Sequence, residues 1–188
     1  MIRTGDLAAI TGTTRDSLRN RLRDDELPWR DERPEDGGQR RFDGSHALRL
    51  VITDTLARQG FTLPFAAEVV RANGHLIEAF LDEIARGEDP KERFIAAAKV
   101  CEQLEGMPPT WFPVLSKWSG EASEIVEYVR RALDNTGRVT DERGRINRRI
   151  AGPMIAVAPV RECYLLLKSQ AADAGFRVEG RKIEKVRK

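Results

Sequence analysis

The sequence predicts a mainly α-helical protein with a small β component, and three short segments carry that prediction. In the first, Gly12 separates two runs with the apolar spacing of helices. In the second, Gly37-Gly38 precedes the alternating run Gln39–Phe42, which is typical of a hairpin strand. In the third, Gly60 ends a long apolar helix and Phe61-Thr62-Leu63 begins another. The order predicts two helices, a hairpin and two further helices.

The second of these helices carries polar residues of a distinctive kind. Thr4 is expected to cap the first helix and Thr13 the second, whose buried stripe is Leu18 and Leu22. Arginine can bind guanine or phosphate with two hydrogen bonds and asparagine can do the same with adenine, which favours a contact with duplex DNA. An ordinary solvated amphipathic helix is the alternative. The candidate DNA contacts here are Thr13, Thr14, Arg15, Arg19, Asn20, Arg21 and Arg23.

The hairpin adds two further candidates. Leu27-Pro28-Trp29 and Gln39–Phe42 are short strand-like runs, joined by a loop that contains Pro34, Asp36, Gly37 and Gly38. Phe42 is expected to hold this hairpin on the core. Arg40 and Arg41 are then candidate contacts with phosphate or the minor groove. Asp43 or Ser45 is expected to cap the long helix that Gly60 ends.

A turn between two helices, followed by a hairpin, is the pattern of a winged helix-turn-helix. Residues 1–72 resemble the DNA-binding domain of the MerR family of transcriptional regulators, through Gly12–Arg19, Gly38–Phe42 and Gly60–Leu63. The resemblance implies that the helix from Thr14 contacts the major groove and that Arg19 and the wing arginines contact the DNA backbone. The chain departs from the family where Asn20 and Arg21 replace aromatic residues, with Arg21 a candidate replacement for their phosphate contact.

The remainder resembles no family. Residues 73–106 are expected to form a helical linker or oligomerisation segment, with one helix ending near Gly87 and another running from Pro90 through Leu104. Residues 107–188 are expected to form a small α+β domain with a basic tail. Its expected strands are Trp111–Leu115, Met154–Val157 and Phe176–Val178. Its expected helices are one with apolar residues from Ile125 to Leu133 and one from Pro159 to Gly175.

Charge is unevenly distributed. Residues 1–72 have no net charge, residues 73–137 carry −5 and residues 138–188 carry +7. The basic last third is expected to add non-specific DNA affinity by counterion release, with a solvated loop and tail as the alternative. The arginines concerned are Arg143, Arg145, Arg148 and Arg149, together with the tail Arg181–Lys188.

Several functional classes lack support. No apolar run is long enough for a bilayer span and the charged N-terminus lacks a signal-peptide core, so a cytoplasmic protein is expected. Nucleophile-elbow, P-loop and zinc-protease motifs are missing from the sequence, so neither an enzyme nor a cofactor is expected. Cys101 and Cys163, in helix-like apolar surroundings, are interpreted as small buried side chains rather than as a thiol or metal sensor. His46 and His75 are weak candidates as metal ligands.

The leading interpretation is a sequence-specific, DNA-binding transcriptional regulator of MerR-like type that works as a homodimer. The apolar faces Leu76–Ile84 and Phe94–Leu104 are candidate dimer interfaces or intrachain core. An unknown small molecule or protein could act on the C-terminal part, where Trp111 and Trp118 line a pocket or belong to the core. The alternatives are a phage-type architectural or DNA-packaging protein, similar to an excisionase or a small terminase, and a winged-helix module that binds proteins.

Overall fold

The structure is a computed structural model that describes residues 1–24, 26–30, 40–104, 110–114, 119–120, 124, 127, 138–140 and 146–186. The helices with described bounds are α1 (Thr4–Thr11), α2 (Arg15–Arg23), α3 (Gly44–Arg58), α4 (Leu63–Ala72), α5 (Gly74–Ala85) and α6 (Val160–Asp173). The strands are β1 (Phe94–Leu104), β2 (Thr110–Val114), β3 (Ser119–Gly120), β4 (Arg138–Thr140), β5 (Ile146–Pro159), β6 (Phe176–Glu179) and β7 (Lys182–Lys185). The expected class, mainly α with a small β component, is confirmed, and the sheets are antiparallel.

Helix ends follow the sequence signals closely. Gly12 ends α1 with φ of 67°, and Gly60 follows α3 with φ of 95°, a left-handed conformation that favours glycine at both positions. Asp43 caps α3 by accepting hydrogen bonds from the backbone N–H groups of Ser45 and His46. Two expected caps are wrong by one residue. Arg3 rather than Thr4 occupies the N-cap position of α1, which begins at Thr4 itself. Thr14 rather than Thr13 caps α2, its Oγ1 accepting from the N–H of Ser17 at 3.2 Å.

The helix expected from Pro90 is wrong, since residues Phe94–Leu104 form strand β1. Ile95, Ala96 and Ala97 are completely buried in succession, as in a strand covered on both faces. Such a short apolar run fits a buried helix or a buried strand equally well, and the pairing of β1 with β5 decides between them. Cys101 therefore lies in a strand rather than in a helix.

The larger sheet is antiparallel, with strand order β2-β1-β5-β4 and with β3 also paired to β1. The strands expected around Trp111 and Met154 are confirmed as β2 and β5. Phe94 is the register partner of Pro159, and the N–H of Val160 donates to the carbonyl of Arg93 at 2.9 Å. The start of β1 and the end of β5 are therefore neighbours, so the chain enters and leaves this sheet at the same place.

Helix α6, confirmed where the sequence predicts it, returns to the N-terminal helices and packs on α1 and α3. A β-carbon on Gly12 would lie 3.2 Å from Nε2 of Gln170, so α6 reaches the turn between α1 and α2. Leu7, Leu48 and Leu167 belong to one buried hydrophobic cluster. The division of the chain into segments 1–72, 73–106 and 107–188 stays a prediction.

The expected last strand is confirmed as β6, but the basic segment that follows is not a free tail. Lys182–Lys185 forms β7, paired with β6, and Ile183 is buried. Arg181 forms ion pairs with Glu78 and Asp82 of α5 at 2.8 and 2.9 Å. This segment is therefore part of the folded body as far as Lys185.

Some expectations lie outside the described residues. They are the wing loop at 31–39, Leu115, Trp118, most of the helix expected through Ile125–Leu133, Arg143, Arg145 and the final two residues. In the part of the chain that is described, no helix combines the length and apolar character that a bilayer crossing needs.

Candidate nucleic-acid interface

Helices α1 and α2 are joined by a three-residue turn, Gly12–Thr14. Leu7 and Ile10 of α1 and Leu18 and Leu22 of α2 face the common core, with at most 7% of each residue exposed. The apolar spacing that the sequence shows is therefore the packing surface of both helices. It leaves the opposite side of α2 on the surface.

The exposed side of α2 contains most of the residues that the sequence selects. Thr14, Arg15, Arg19, Asn20 and Arg23 are all exposed, and the side chain of Arg19 is 70% accessible. Arg15, Arg19, Asn20 and Arg23 share one face by helical spacing. The structure therefore brings one amide and three guanidinium groups together on one solvent-facing surface.

Two aspartates moderate the positive charge of this surface. Asp16 lies 3.5 Å from the guanidinium of Arg19, and Asp24 forms an ion pair with Arg23 at 2.8 Å. The hydrogen bond from Arg23 lowers the pKa of Asp24, so this carboxylate is ionised at neutral pH. Both pairs are exposed, and pairs of this kind contribute little to stability, so either arginine can exchange its partner for phosphate or a base.

Arg21 is different, because the structure turns it away from this surface. Its side chain is 8% exposed and its Nη1 lies 2.8 Å from Oδ1 of Asp54 on α3. The hydroxyl of Thr13 donates to the other oxygen of Asp54 at 3.3 Å. Thr13 and Arg21 therefore attach the turn and α2 to α3, and neither residue joins the exposed arginines.

The predicted hairpin needs a correction at its base. Leu27–Trp29 forms no strand; instead Phe42 pairs with Ile2, with backbone hydrogen bonds of 2.8 and 2.9 Å. The aromatic rings of Trp29 and Phe42 nevertheless pack edge to face, with their ring centroids 6.0 Å apart. Each ring also contacts the ring of His46. The chain on either side of residues 31–39 therefore meets at one aromatic cluster. The backbone of Phe42 finds its partner in the N-terminal segment because buried backbone groups must be paired.

The two arginines of the predicted wing lie beside this cluster. Arg41 is exposed and Arg40 is half-buried, immediately before the buried Phe42. The burial of Phe42 confirms the expectation that it holds this segment on the core.

Sequence reasoning missed two other arginines that position the segment after α2. Arg71 of α4 donates to the carbonyl of Leu27, at 2.7 Å from Nη2, and Arg49 of α3 donates to the carbonyl of Pro28 at 3.2 Å. Arg49 is itself held by Glu78 of α5 at 2.8 Å. These contacts join residues far apart in the chain, so no local spacing could have indicated them.

A metal or thiol centre finds no support in the described part of the chain, where no group of three or more candidate ligands occurs. Burial raises the pKa of the Cys163 thiol to about 11, so it is protonated and unreactive at neutral pH. Nδ1 of His46 lies 2.6 Å from Asp43, so this imidazole is engaged at the start of α3.

Comparison with known proteins found no match for this chain among family models, curated proteins or solved structures.

Proposed function

We propose that this protein is a sequence-specific transcriptional regulator that binds duplex DNA in the manner of a MerR-like winged helix-turn-helix. The observation that carries the proposal is the exposed face of α2, which presents Arg15, Arg19, Asn20 and Arg23 while Leu18 and Leu22 fix the helix on the core. A helix held from behind, with hydrogen-bonding side chains in front, has the arrangement that groove reading requires.

The dimensions of α2 support this proposal. Its nine residues span about 13 Å, and an α-helix fits into the major groove, which is about 12 Å wide. Arg15 and Arg19 are suited to guanine or phosphate, Asn20 to adenine, and Asp16 can accept from the amino group of cytosine. This mixture favours sequence reading over general attraction to phosphate.

The segment before Phe42 is proposed as the wing. Trp29 and Phe42 bring its two ends together, which is what a hairpin that projects from a core needs. Arg40 and Arg41 lie at the end of this segment, immediately before Phe42, and are suited to a phosphate or minor-groove contact. Arg21 is not part of the proposed surface, since Asp54 holds it inside.

In vitro selection from random duplexes tests the proposal, followed by mapping of the sites that the full-length protein occupies in its native cell. A regulator is expected to enrich one short motif upstream of genes. An architectural or packaging protein would bind duplexes with little sequence preference. A protein-binding module would show no salt-dependent affinity for duplex DNA, and that result would remove the proposal.

Replacement of Arg19 by Ala is expected to weaken binding to the selected site by about 1–3 kcal/mol, or roughly fivefold to 150-fold, because a charged contact with DNA is lost. The fold should survive, since the Arg19 side chain is 70% exposed. Arg86→Ala, at the residue that follows α5, is the matched control, because Arg86 is also an exposed arginine paired with a nearby carboxylate, Glu88. Fluorescence anisotropy measures both variants, and equal affinity of Arg19→Ala and the parent would show that α2 is not the reading helix.

Replacement of both Arg40 and Arg41 by Ala is expected to weaken binding to the selected site and to random duplexes by similar factors. Two phosphate contacts would be lost, so the slope of log affinity against log salt should become shallower by roughly one to two units. Titrations at several salt concentrations measure this slope. A slope that does not change excludes phosphate contacts by these arginines.

A further inference from the structure

Gly5 lies within a regular helix, at the second residue of α1. Its φ is not in the left-handed region that would require a glycine. Glycine is less favourable than alanine inside a helix, because it has more conformational freedom to lose when the chain folds. The conformation of α1 therefore does not explain why this position lacks a side chain.

The missing side chain leaves room for the guanidinium group of Arg15. A β-carbon on Gly5 would lie 2.8 Å from Nη2 of Arg15 and 3.0 Å from both Cζ and Nε. These near-equal distances show that the flat face of the guanidinium, rather than its edge, meets α1. Arg15 is the first residue of α2, so its side chain reaches back across the turn to the first helix.

Arg15 also differs from the other arginines of α2 because no carboxylate neutralises it. Arg19, Arg21 and Arg23 each have an aspartate partner, at 3.5, 2.8 and 2.8 Å. Among the described residues Arg15 forms no ion pair, and the nearby carboxylate of Asp6 accepts from a backbone N–H at the start of its own helix. A cation in the first turn of a helix is disfavoured by the positive end of the helix dipole. The fold therefore gains no electrostatic stabilisation from Arg15.

The location of this guanidinium predicts which part of DNA it contacts. When a helix-turn-helix binds DNA, the first helix crosses the sugar-phosphate backbone, whereas the N-terminal residues of the second helix contact base edges. Arg15 belongs to the second helix, but its charged group lies on the first. A guanidinium in this place is suited to a phosphate, which it can bind with two hydrogen bonds.

We propose that Gly5 is a positioning residue, which fixes the guanidinium of Arg15 on α1 as a contact for one DNA phosphate. This inference rests on the proposed DNA binding and assigns separate roles on the exposed face of α2. Arg15 sets the position of the helix on the backbone, and Arg19 and Asn20 remain to read bases. A side chain that is already held in its binding position loses less conformational entropy when DNA binds.

The contact between Gly5 and Arg15 is tested first without DNA. The Nε–H group of Arg15 gives a side-chain NMR signal, which is identified by its loss in Arg15→Ala. Gly5→Ala is expected to shift this signal, because the new β-carbon would lie 3.0 Å from Nε. The melting temperature should not fall, since alanine favours the helix and the displaced group is the end of a flexible side chain. An unchanged signal would overturn the contact, whether or not the protein binds DNA.

The phosphate contact is tested by the salt dependence of binding to the selected duplex. Arg15→Ala should make the slope of log affinity against log salt shallower by about 0.9, the value for one phosphate, and should weaken binding to selected and random duplexes by similar factors. Arg86→Ala removes an exposed positive charge outside the proposed surface, so it is the control and should keep the parent slope. A preference relaxed at a single base position in Arg15→Ala would overturn the phosphate assignment in favour of base reading.

Gly5→Ala gives the sharper test because it changes no charge. It is expected to weaken binding to the selected duplex by about threefold to tenfold and to make the salt slope shallower, as Arg15→Ala does. In the Arg15→Ala background the same substitution should change affinity by less than about twofold, because no guanidinium is left to displace. A general effect of alanine on α1 would instead be equal in both backgrounds.

Two results with DNA would overturn the positioning role. They are a Gly5→Ala variant with the affinity and salt slope of the parent, and a Gly5→Ala loss that is equal with and without Arg15. Failure of this inference is distinguishable from failure of the proposed function. A parent that binds no duplex removes the proposed function, whereas a parent that binds, with Gly5→Ala and Arg15→Ala variants that bind equally well, removes this inference alone.

Discussion

Replacement of Asp54 by Ala is expected to lower the free energy of unfolding by about 3–5 kcal/mol, since it leaves the charge of Arg21 buried without its partner. Arg21 is 8% exposed, and its Nε already has no hydrogen-bond partner among the described residues. Thr13 would lose the acceptor of its hydroxyl in the same variant. The contact between α2 and α3 would thus lose both of its polar attachments.

Urea unfolding followed by circular dichroism measures this loss. The matched control is the double variant Arg21→Met, Asp54→Leu, which removes both charges and keeps apolar volume at both positions. It is expected to recover most of the stability, because an apolar pair of similar size often equals or exceeds a buried ion pair. If Asp54→Ala unfolds at the same urea concentration as the parent, the pair is not important for stability.

The same variants show whether the pair of Arg21 and Asp54 orients α2 for DNA binding. We expect the folded Arg21→Met, Asp54→Leu variant to bind the selected site, because Arg21 does not belong to the exposed face of α2. A tenfold or greater loss of affinity in this stable variant would mean that the polar pair sets the angle at which α2 meets the groove.

Deletion of residues 180–188 is expected to lower the free energy of unfolding by at least about 3 kcal/mol, because it removes the buried Ile183 and strand β7 together. It also removes the carbonyl of Arg181, which accepts from the N–H of Gly44 at 2.9 Å, and the ion pairs of Arg181 with α5. Such a loss is a large fraction of the stability of an ordinary domain. Thermal unfolding of the shortened chain measures it, and an unchanged melting temperature would contradict it.

This deletion cannot test whether the basic C-terminal segment binds DNA, because it would damage the fold. Lys182→Gln with Lys185→Gln is the appropriate variant. Both lysines are exposed, and the pair of Lys182 with Glu184 is on the surface, so stability should change by less than about 1 kcal/mol. If the segment adds non-specific affinity, this variant should weaken binding to all duplexes equally and make the salt dependence shallower. No change at low salt would exclude that contribution.

Local sequence signals predicted the N-terminal helices well because each depends on residues within one or two turns. Gly12 and Gly60 supply the left-handed conformation that follows a helix, and Asp43 caps α3 with its own side chain. The spacing of Leu18 and Leu22 fixes which side of α2 is buried. The exposure of Arg19 and Asn20 follows directly from that spacing, so most of the candidate surface could be predicted.

The β1 segment could not be predicted in the same way. A buried strand and a buried helix have the same apolar composition over short runs, and the distinction depends on a partner strand elsewhere in the chain. For Phe94–Leu104 that partner is β5, more than forty residues later. Ile183 likewise joins the core only because β7 pairs with β6 and returns to α5.

The sequence by itself determined where α1–α4 lie, which face of α2 is apolar, and that this helix carries four arginines and an asparagine outside its apolar stripe. Only the tertiary structure decided that Arg21 leaves that set, because its partner Asp54 lies 33 residues away on α3. It also decided that α6 packs on α1 and exposes Leu165 and Leu166. Local conformation depends on neighbouring residues, which the sequence displays, whereas the burial of a charge or of an apolar face depends on distant segments that only the folded chain brings together.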